Sequence, residues 1–256
     1  ANITQIDDVV AAVRDADADV VVNAAAFTAV DRAETESDLA FSVNCDGARN
    51  IAIACAEWSL PMVQISTDYV FDGSKPSAYV EDDPVGPLGA YGASKEAGEQ
   101  AVRDTLDRHV ILRTSWVFGA TGRNFVRTML SLAEERGELA VVSDQFGCPT
   151  PAVDLAAAIL KMLPLLSENY WGTYHYCGTG RTSWCDFASE IFVQRSRITN
   201  APSPRLCPIS TAEFPTPAAR PANSELDCAR FASTFDAVPR PWREGLADVL
   251  NELLAA

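Results

Sequence analysis

Apolar residues along the chain recur at two spacings. Over residues 4–15, Val9, Val10 and Val13 fall on one helical face, with Thr4 placed as an N-cap. "DVVVNAAA" (19–26) is a short continuous apolar run of the kind found in strands buried on both faces. The alternation then repeats: a helix over 36–57, a strand in "PMVQIST" (61–67), a helix over 91–106 and a strand in "HVILRTSWVFG" (109–119). A helix in "NFVRTMLSLAEERG" (124–137) and a strand in "LAVVSD" (139–144) follow. Strands alternating with amphipathic helices predict an α/β fold with a parallel sheet. Ligands of such sheets collect at the carboxyl ends of the strands. "NAAAFT", "STDYVFDG" and "RTSWVFG" follow three successive strands, so they are expected to face one crevice.

After residue 138 the texture changes. "DQFGCPTP", "YWGTYHYCGTGRTSW" and the proline-rich "NAPSPRLCPISTAEFPTPAARPANSEL" replace the regular alternation. This part reads as a smaller, loop-rich lobe, residues 139–256, interleaved with a first domain of residues 1–138. Helices are expected over 183–195 and 243–254. "AAAILKMLPLL" (156–166) reads as a buried helix; Lys161 and Pro164 interrupt it, and it is too short to span a bilayer.

Composition narrows the function classes. The 256 residues suit one large domain or two joined ones, and 48% apolar with 21% charged residues is ordinary for a soluble globular protein. A formal charge of −15 repels phosphate backbones and argues against a nucleic-acid partner. The seven cysteines include no C-x-x-C pair and there are two histidines, which argues against a zinc cage or disulfide framework and for a reducing cytoplasm. Cys45, Cys55 and Cys185 read as small core residues, and His175 as a buried, hydrogen-bonded histidine on a strand.

Candidate chemistry centres on "AYGASKEAGEQAV" (90–102). Tyr91 and Lys95 lie one helical turn apart, and Lys95 is one of only three lysines. A free phenol has a pKa near ~10, and a nearby ammonium lowers it. Such a pair can pass a proton to a carbonyl oxygen. The same spacing also arises where a tyrosine opens a helix and a lysine is solvated. Ser66, Thr67 and Asp68 end a predicted buried strand, where a hydroxyl can help polarise a carbonyl. Together these groups suit carbonyl reduction, with the hydride supplied by a cofactor.

"NAAAFTAVDRAE", "STDYVFDG", "YGASKEAGE", "RTSWVFG", "NFVRTML", "DQFGCPT" and "PTPAARPANSEL" stand in an order and spacing that resembles the dTDP-4-dehydrorhamnose reductase family. That family lies within the extended short-chain dehydrogenase/reductases. The resemblance implies a Rossmann-like, NAD(P)-binding first domain, a substrate-binding second lobe, NADPH or NADH as cofactor and a dTDP-sugar as substrate. It implies that Tyr91 protonates O4, that Lys95 lowers the tyrosine pKa and holds the nicotinamide ribose, and that Thr67 tunes the tyrosine. Thr67, Asp68, Tyr91 and Trp116 would meet the substrate, with Arg220 and Asn223 towards its diphosphate. Ala24, Ala25, Ala26, Phe27 and Thr28 would lie against the cofactor, and Asn2 and Ile3 near its adenine. The family opens with a strand and a glycine-rich turn, so roughly 40 residues are expected ahead of Ala1. A homodimer, and a magnesium ion held in part by Glu168, are further possibilities that the resemblance carries.

Two rival readings fit the same motifs. One is a non-catalytic regulatory subunit similar to the β subunit of methionine adenosyltransferase. The other is a reductase or epimerase of a different 4-keto-6-deoxy nucleotide sugar. Co-purification with a synthetase and no keto-sugar reduction would favour the first.

Overall fold

The structure is a computed structural model that describes residues 1–166 and 169–254. Its longer strands are β1 (Val21–Asn23), β2 (Met62–Thr67), β3 (His109–Thr114), β4 (Glu138–Val142), β5 (Gly172–His175) and β6 (Arg205–Ile209). Strands β1, β2, β3 and β5 lie side by side in that order, all parallel. The register sets Met62 opposite Val21 and His109, and Thr67 opposite Thr114, so the strands' carboxyl ends share one edge.

Both faces of this sheet are covered, which accounts for its near-continuous apolar strands. Met62 packs on one face with Val9, Ile51, Ala52, Cys55, Val102 and Leu106. Val63, Val110, Leu112 and Tyr174 pack on the other with Leu155, Met162, Phe231 and Phe235. The switch from Met62 to Val63 is the two-residue period of a strand. A separate core joins the parallel β4–β6 pair to the helices Phe125–Glu135, Trp184–Thr199 and Trp242–Leu254 around Phe187, Ile191, Trp242 and Leu246.

Several boundaries differ from the sequence expectation. The first helix is Ile6–Asp15 with Gln5 at its N-cap; Thr4 Oγ1 instead donates to Asn2 Oδ1 at 3.0 Å. The 109–119 run is two strands, because Trp116 takes a left-handed φ of 48° between Thr114 and Val117. Of the 156–166 segment, residues 156–162 belong to the helix Ala152–Met162 and Leu163–Leu165 form a 3-10 turn; the helix buries Leu155, Ala158 and Met162 but leaves Val153 57% and Leu160 68% exposed. One face, not the whole helix, is inside. Strand β6 and the helix Ala229–Phe235 were hidden in or beyond the proline-rich stretch. Pro208 is tolerated because β6 pairs on one side only, with β4. Glu168 lies outside the described residues.

Candidate active site

The site forms where β2 ends and the helix Ala90–Thr105 begins. Thr67 Oγ1 donates to Asp68 Oδ1 at 2.9 Å and accepts from the Tyr69 backbone N–H at 3.2 Å, which turns the chain sharply after the strand. Glycine lets the helix close on that turn: a Cβ at Gly92 would stand 2.2 Å from the Tyr69 carbonyl oxygen. Tyr91 then meets Tyr69 edge-on, with ring centroids 5.6 Å apart. One turn on, Lys95 is 4% exposed and its Nζ donates to the Ile65 carbonyl at 2.7 Å.

Burial dominates the electrostatics. It pushes the Tyr91 phenol up to about 12, the Thr67 hydroxyl acting downward and the Asp68 charge upward. This differs from the expectation that Lys95 would pull the phenol down: desolvation outweighs every other influence, and the ammonium is engaged by Ile65. Burial likewise brings Lys95 down to about 8, against the charge of Glu99. Asp68 is raised to about 6 by burial, with the Ser224 and Thr67 hydroxyls opposing. His175 is fully buried, its Nδ1–H donates to the Tyr79 carbonyl at 3.1 Å, and it is held down to about 3 by burial.

The loop Ala24 to Thr28 leaves the carboxyl end of β1 with Ala24 and Ala25 exposed. It is fixed by amide side chains. Asn23 Oδ1 accepts from Ala25 N at 3.1 Å, while Asn44 exchanges two bonds with the Phe27 backbone, at 2.8 and 3.0 Å. Asn44 also donates to Ser94 Oγ at 2.9 Å, so one residue joins the loop to the Tyr91 helix. It sits in a π-helical turn, Ser42–Asp46, inserted in an otherwise regular helix. In sequence Asn44 is one polar residue among several in "AFSVNCDGA", with nothing local to mark it. Methyl side chains on this loop and a buried lysine nearby fit the nicotinamide half of a dinucleotide. Asn2 Oδ1 accepts from Thr4 N, and Ile3 packs on Gly47 while its carbonyl accepts from Asn50.

A cavity of ≈ 610 Å³ opens beside Tyr69, floored by Phe125, Met129, Leu139 and Val141 and edged by Gln145 and Arg220. Trp184 forms part of its wall and stacks on Trp116, 3.5 Å between centroids and 7° from parallel. Gly147 lies behind Trp116, where a Cβ would stand 2.5 Å from the indole Cε2. Trp184 was not singled out from sequence, where it falls near the start of the helix expected over 183–195. Arg220 is paired with Asp31 through two bonds, at 2.7 and 2.9 Å, rather than standing free for a diphosphate. Asn223 donates to the Lys75 and Ser77 carbonyls and braces their loop. No cluster of three or more potential metal ligands occurs among the described residues.

A parallel sheet with a Tyr-x-x-x-Lys helix at its carboxyl edge, and a cavity opening beside the Tyr69 ring that packs edge-on against that helix's tyrosine, defines an extended short-chain dehydrogenase/reductase. The family model described as the RmlD substrate binding domain matches residues 1–255. The chain belongs to that family. It is 45% identical over 250 residues to the dTDP-4-dehydrorhamnose reductase of Sinorhizobium fredii, covering 96% of this chain and 84% of the relative. The enzyme of the same name from Escherichia coli is 42% identical over 239 residues, covering 92% and 80%. The crystal structure of the Bacillus anthracis dTDP-4-dehydrorhamnose reductase in complex with NADP superposes with a TM-score of 0.90 at 41% identity, over 98% of this chain and 86% of that one.

Proposed function

We propose that the chain reduces the C4 ketone of dTDP-4-dehydro-L-rhamnose to give dTDP-L-rhamnose. The observation that carries this reading is the convergence of Thr67, Tyr91 and Lys95 at the sheet edge, with Tyr69, the ring neighbour of Tyr91, lining a cavity that has an apolar floor and a polar rim. A reduced nicotinamide dinucleotide, taken as NADPH from the likeness to the relative crystallised with NADP, supplies the hydride to C4.

The protein's own residues manage the oxygen. With a pKa near about 12, Tyr91 is protonated at neutral pH, the state that a proton donor requires. Its hydroxyl protonates O4 as negative charge develops there, and the phenolate left behind regains a proton from solvent. The Thr67 hydroxyl, held by Asp68 and the Tyr69 N–H, lies against the phenol and acts to lower its pKa, which favours release of the proton. Lys95 places a positive charge one turn away, which stabilises the transient phenolate. Asp68 takes a sugar hydroxyl, and the floor of Phe125, Met129 and Leu139 shelters the nucleoside from water.

Tyr91→Phe keeps the ring and its packing on Tyr69 but removes the proton. Its kcat for the keto-sugar drops by about 10²-fold or more with KM little changed. Steady-state assay of nicotinamide oxidation measures this, and an unchanged kcat removes Tyr91 from the mechanism.

A further inference from the structure

Three consecutive residues at the end of β2 meet the Ala90–Thr105 helix at three successive turns. Thr67 lies against the Tyr91 phenol, the Ile65 carbonyl accepts from Lys95, and Ser66 Oγ donates to Glu99 Oε1 at 2.5 Å. Tyr91, Lys95 and Glu99 are spaced by four residues and form one stripe along the helix. Glu99 is 0% exposed, yet accepts from Arg113 Nε at 2.9 Å, Arg113 Nη2 at 2.7 Å and Arg103 Nη2 at 2.7 Å. Arg113, 2% exposed, rises from β3 and stands over the Phe71 ring, 5.0 Å from its centroid. Ion clusters buried this deeply seldom out-stabilise apolar residues of equal volume. Their value here is placement.

We propose that Glu99 is the positioning residue of the Tyr91–Lys95 pair: its carboxylate ties the helix to the end of β2 through Ser66 and supplies the negative charge that keeps Lys95 an ammonium. The proposal rests on the reductase reading for its kinetic consequences and on geometry for its electrostatic ones.

The placement argument follows from the contacts. Ser66 lies between the residue that holds Lys95 and the residue that touches Tyr91, so a bond from Ser66 to Glu99 fixes the strand against the helix at the point where proton transfer needs a set distance. A second glycine tightens the same helix, since a Cβ at Gly98 would stand 2.1 Å from the Asn44 carbonyl oxygen. The charge argument follows from burial. Lys95 has a neutral carbonyl as its bonded partner, and desolvation disfavours its proton; Glu99 is the group acting in the other direction. Arg113 from β3 and Arg103 on the same helix both bond the Glu99 carboxylate and oppose its pull on Lys95. Behind Arg113 stand the Glu81 backbone and His175, which is neutral near pH 7. Tyr91, Tyr69 and Asp68 flank the other end of the stripe.

The test compares wild type with Glu99→Gln, Ser66→Ala and Arg103→Met. The chain has three lysines, so Nζ titrations followed by nitrogen NMR on lysine-labelled protein give three assignable signals. Glu99→Gln lowers the Lys95 midpoint by at least about one pH unit. The alkaline limb of the kcat profile moves down with it, while KM for the keto-sugar stays within about twofold. Arg103→Met removes a half-exposed partner and raises the Lys95 midpoint. Ser66→Ala lowers kcat several-fold with the limb in place. A Lys95 midpoint that stays put in folded Glu99→Gln overturns the proposal; if that variant does not fold, an unmoved midpoint in Arg103→Met does so. Wild type that leaves the keto-sugar unreduced but shows the NMR shifts sinks the reductase reading alone. Active wild type with unmoved midpoints sinks the Glu99 proposal alone.

Discussion

Asp68 and His175 are both buried, and burial shifts them so that they pull stability in opposite directions with pH. The folded pKa of Asp68 is raised from 3.8 to about 6, so between these values the native state holds a proton that the unfolded chain has lost. Stability from this group grows as pH falls from 6 to 4. The folded pKa of His175 is lowered from 6.5 to about 3, so there the unfolded chain holds the extra proton and acidification costs stability. Each slope is about 1.4 kcal/mol per pH unit, and the two nearly cancel between pH 4 and 6. Asp68→Asn therefore exposes a steady loss on acidification, and His175→Asn exposes a gain. Urea unfolding at a series of pH values checks both; parallel profiles for wild type and Asp68→Asn would contradict the assignment. At this scale the site was partly legible. Tyr91, Lys95, Thr67 and Asp68 were readable because a fixed helical spacing and a strand end put them together. Asn44, Trp184 and Glu99 were not, since what marks each is a partner distant in sequence: Phe27, Trp116 and Ser66.

Among elements, the helix Ala90–Thr105 touches its neighbours more closely than side chains normally permit. Gly92 and Gly98 lie against backbone carbonyls, of Tyr69 and Asn44, which cannot swing aside as a flexible side chain would. Gly98→Ala pushes the helix off the π turn and costs about 1–3 kcal/mol of stability. Gly92→Ala adds a loss of kcat, because it parts Tyr91 from Thr67. Thermal unfolding and kinetics on the two variants separate these effects. The parallel sheet and its helices were readable for a related reason: strands covered on both faces must be apolar throughout, and that pattern survives without knowledge of the fold. The break at Trp116 left no such trace. A left-handed φ at a tryptophan is imposed by tertiary contacts, here Trp184 and Gly147, and local propensity opposes it. Strand β6 escaped notice because its pairing with β4 spans the chain from residue 138 to 209 and its proline suggests a loop.

Across the whole molecule, the segment after β1 and the proline-rich stretch are joined at the cavity rim by Asp31 and Arg220, which are 189 residues apart. Their side chains are 44% and 18% exposed, so solvent screens much of the attraction. A double-mutant cycle with Asp31→Asn and Arg220→Met yields a coupling of ~1 kcal/mol, smaller at high salt. A coupling that ignores salt would mean that packing, not charge, joins the two segments there. The indole in the cavity wall and the one stacked on it have one more consequence. Rings held almost parallel at van der Waals separation mix their excited states, so the pair should absorb circularly polarised light as a single chromophore. Any occupant of the cavity that tilts Trp184 changes that signal, which gives the protein an intrinsic optical gauge of occupancy that Trp184→Phe would silence.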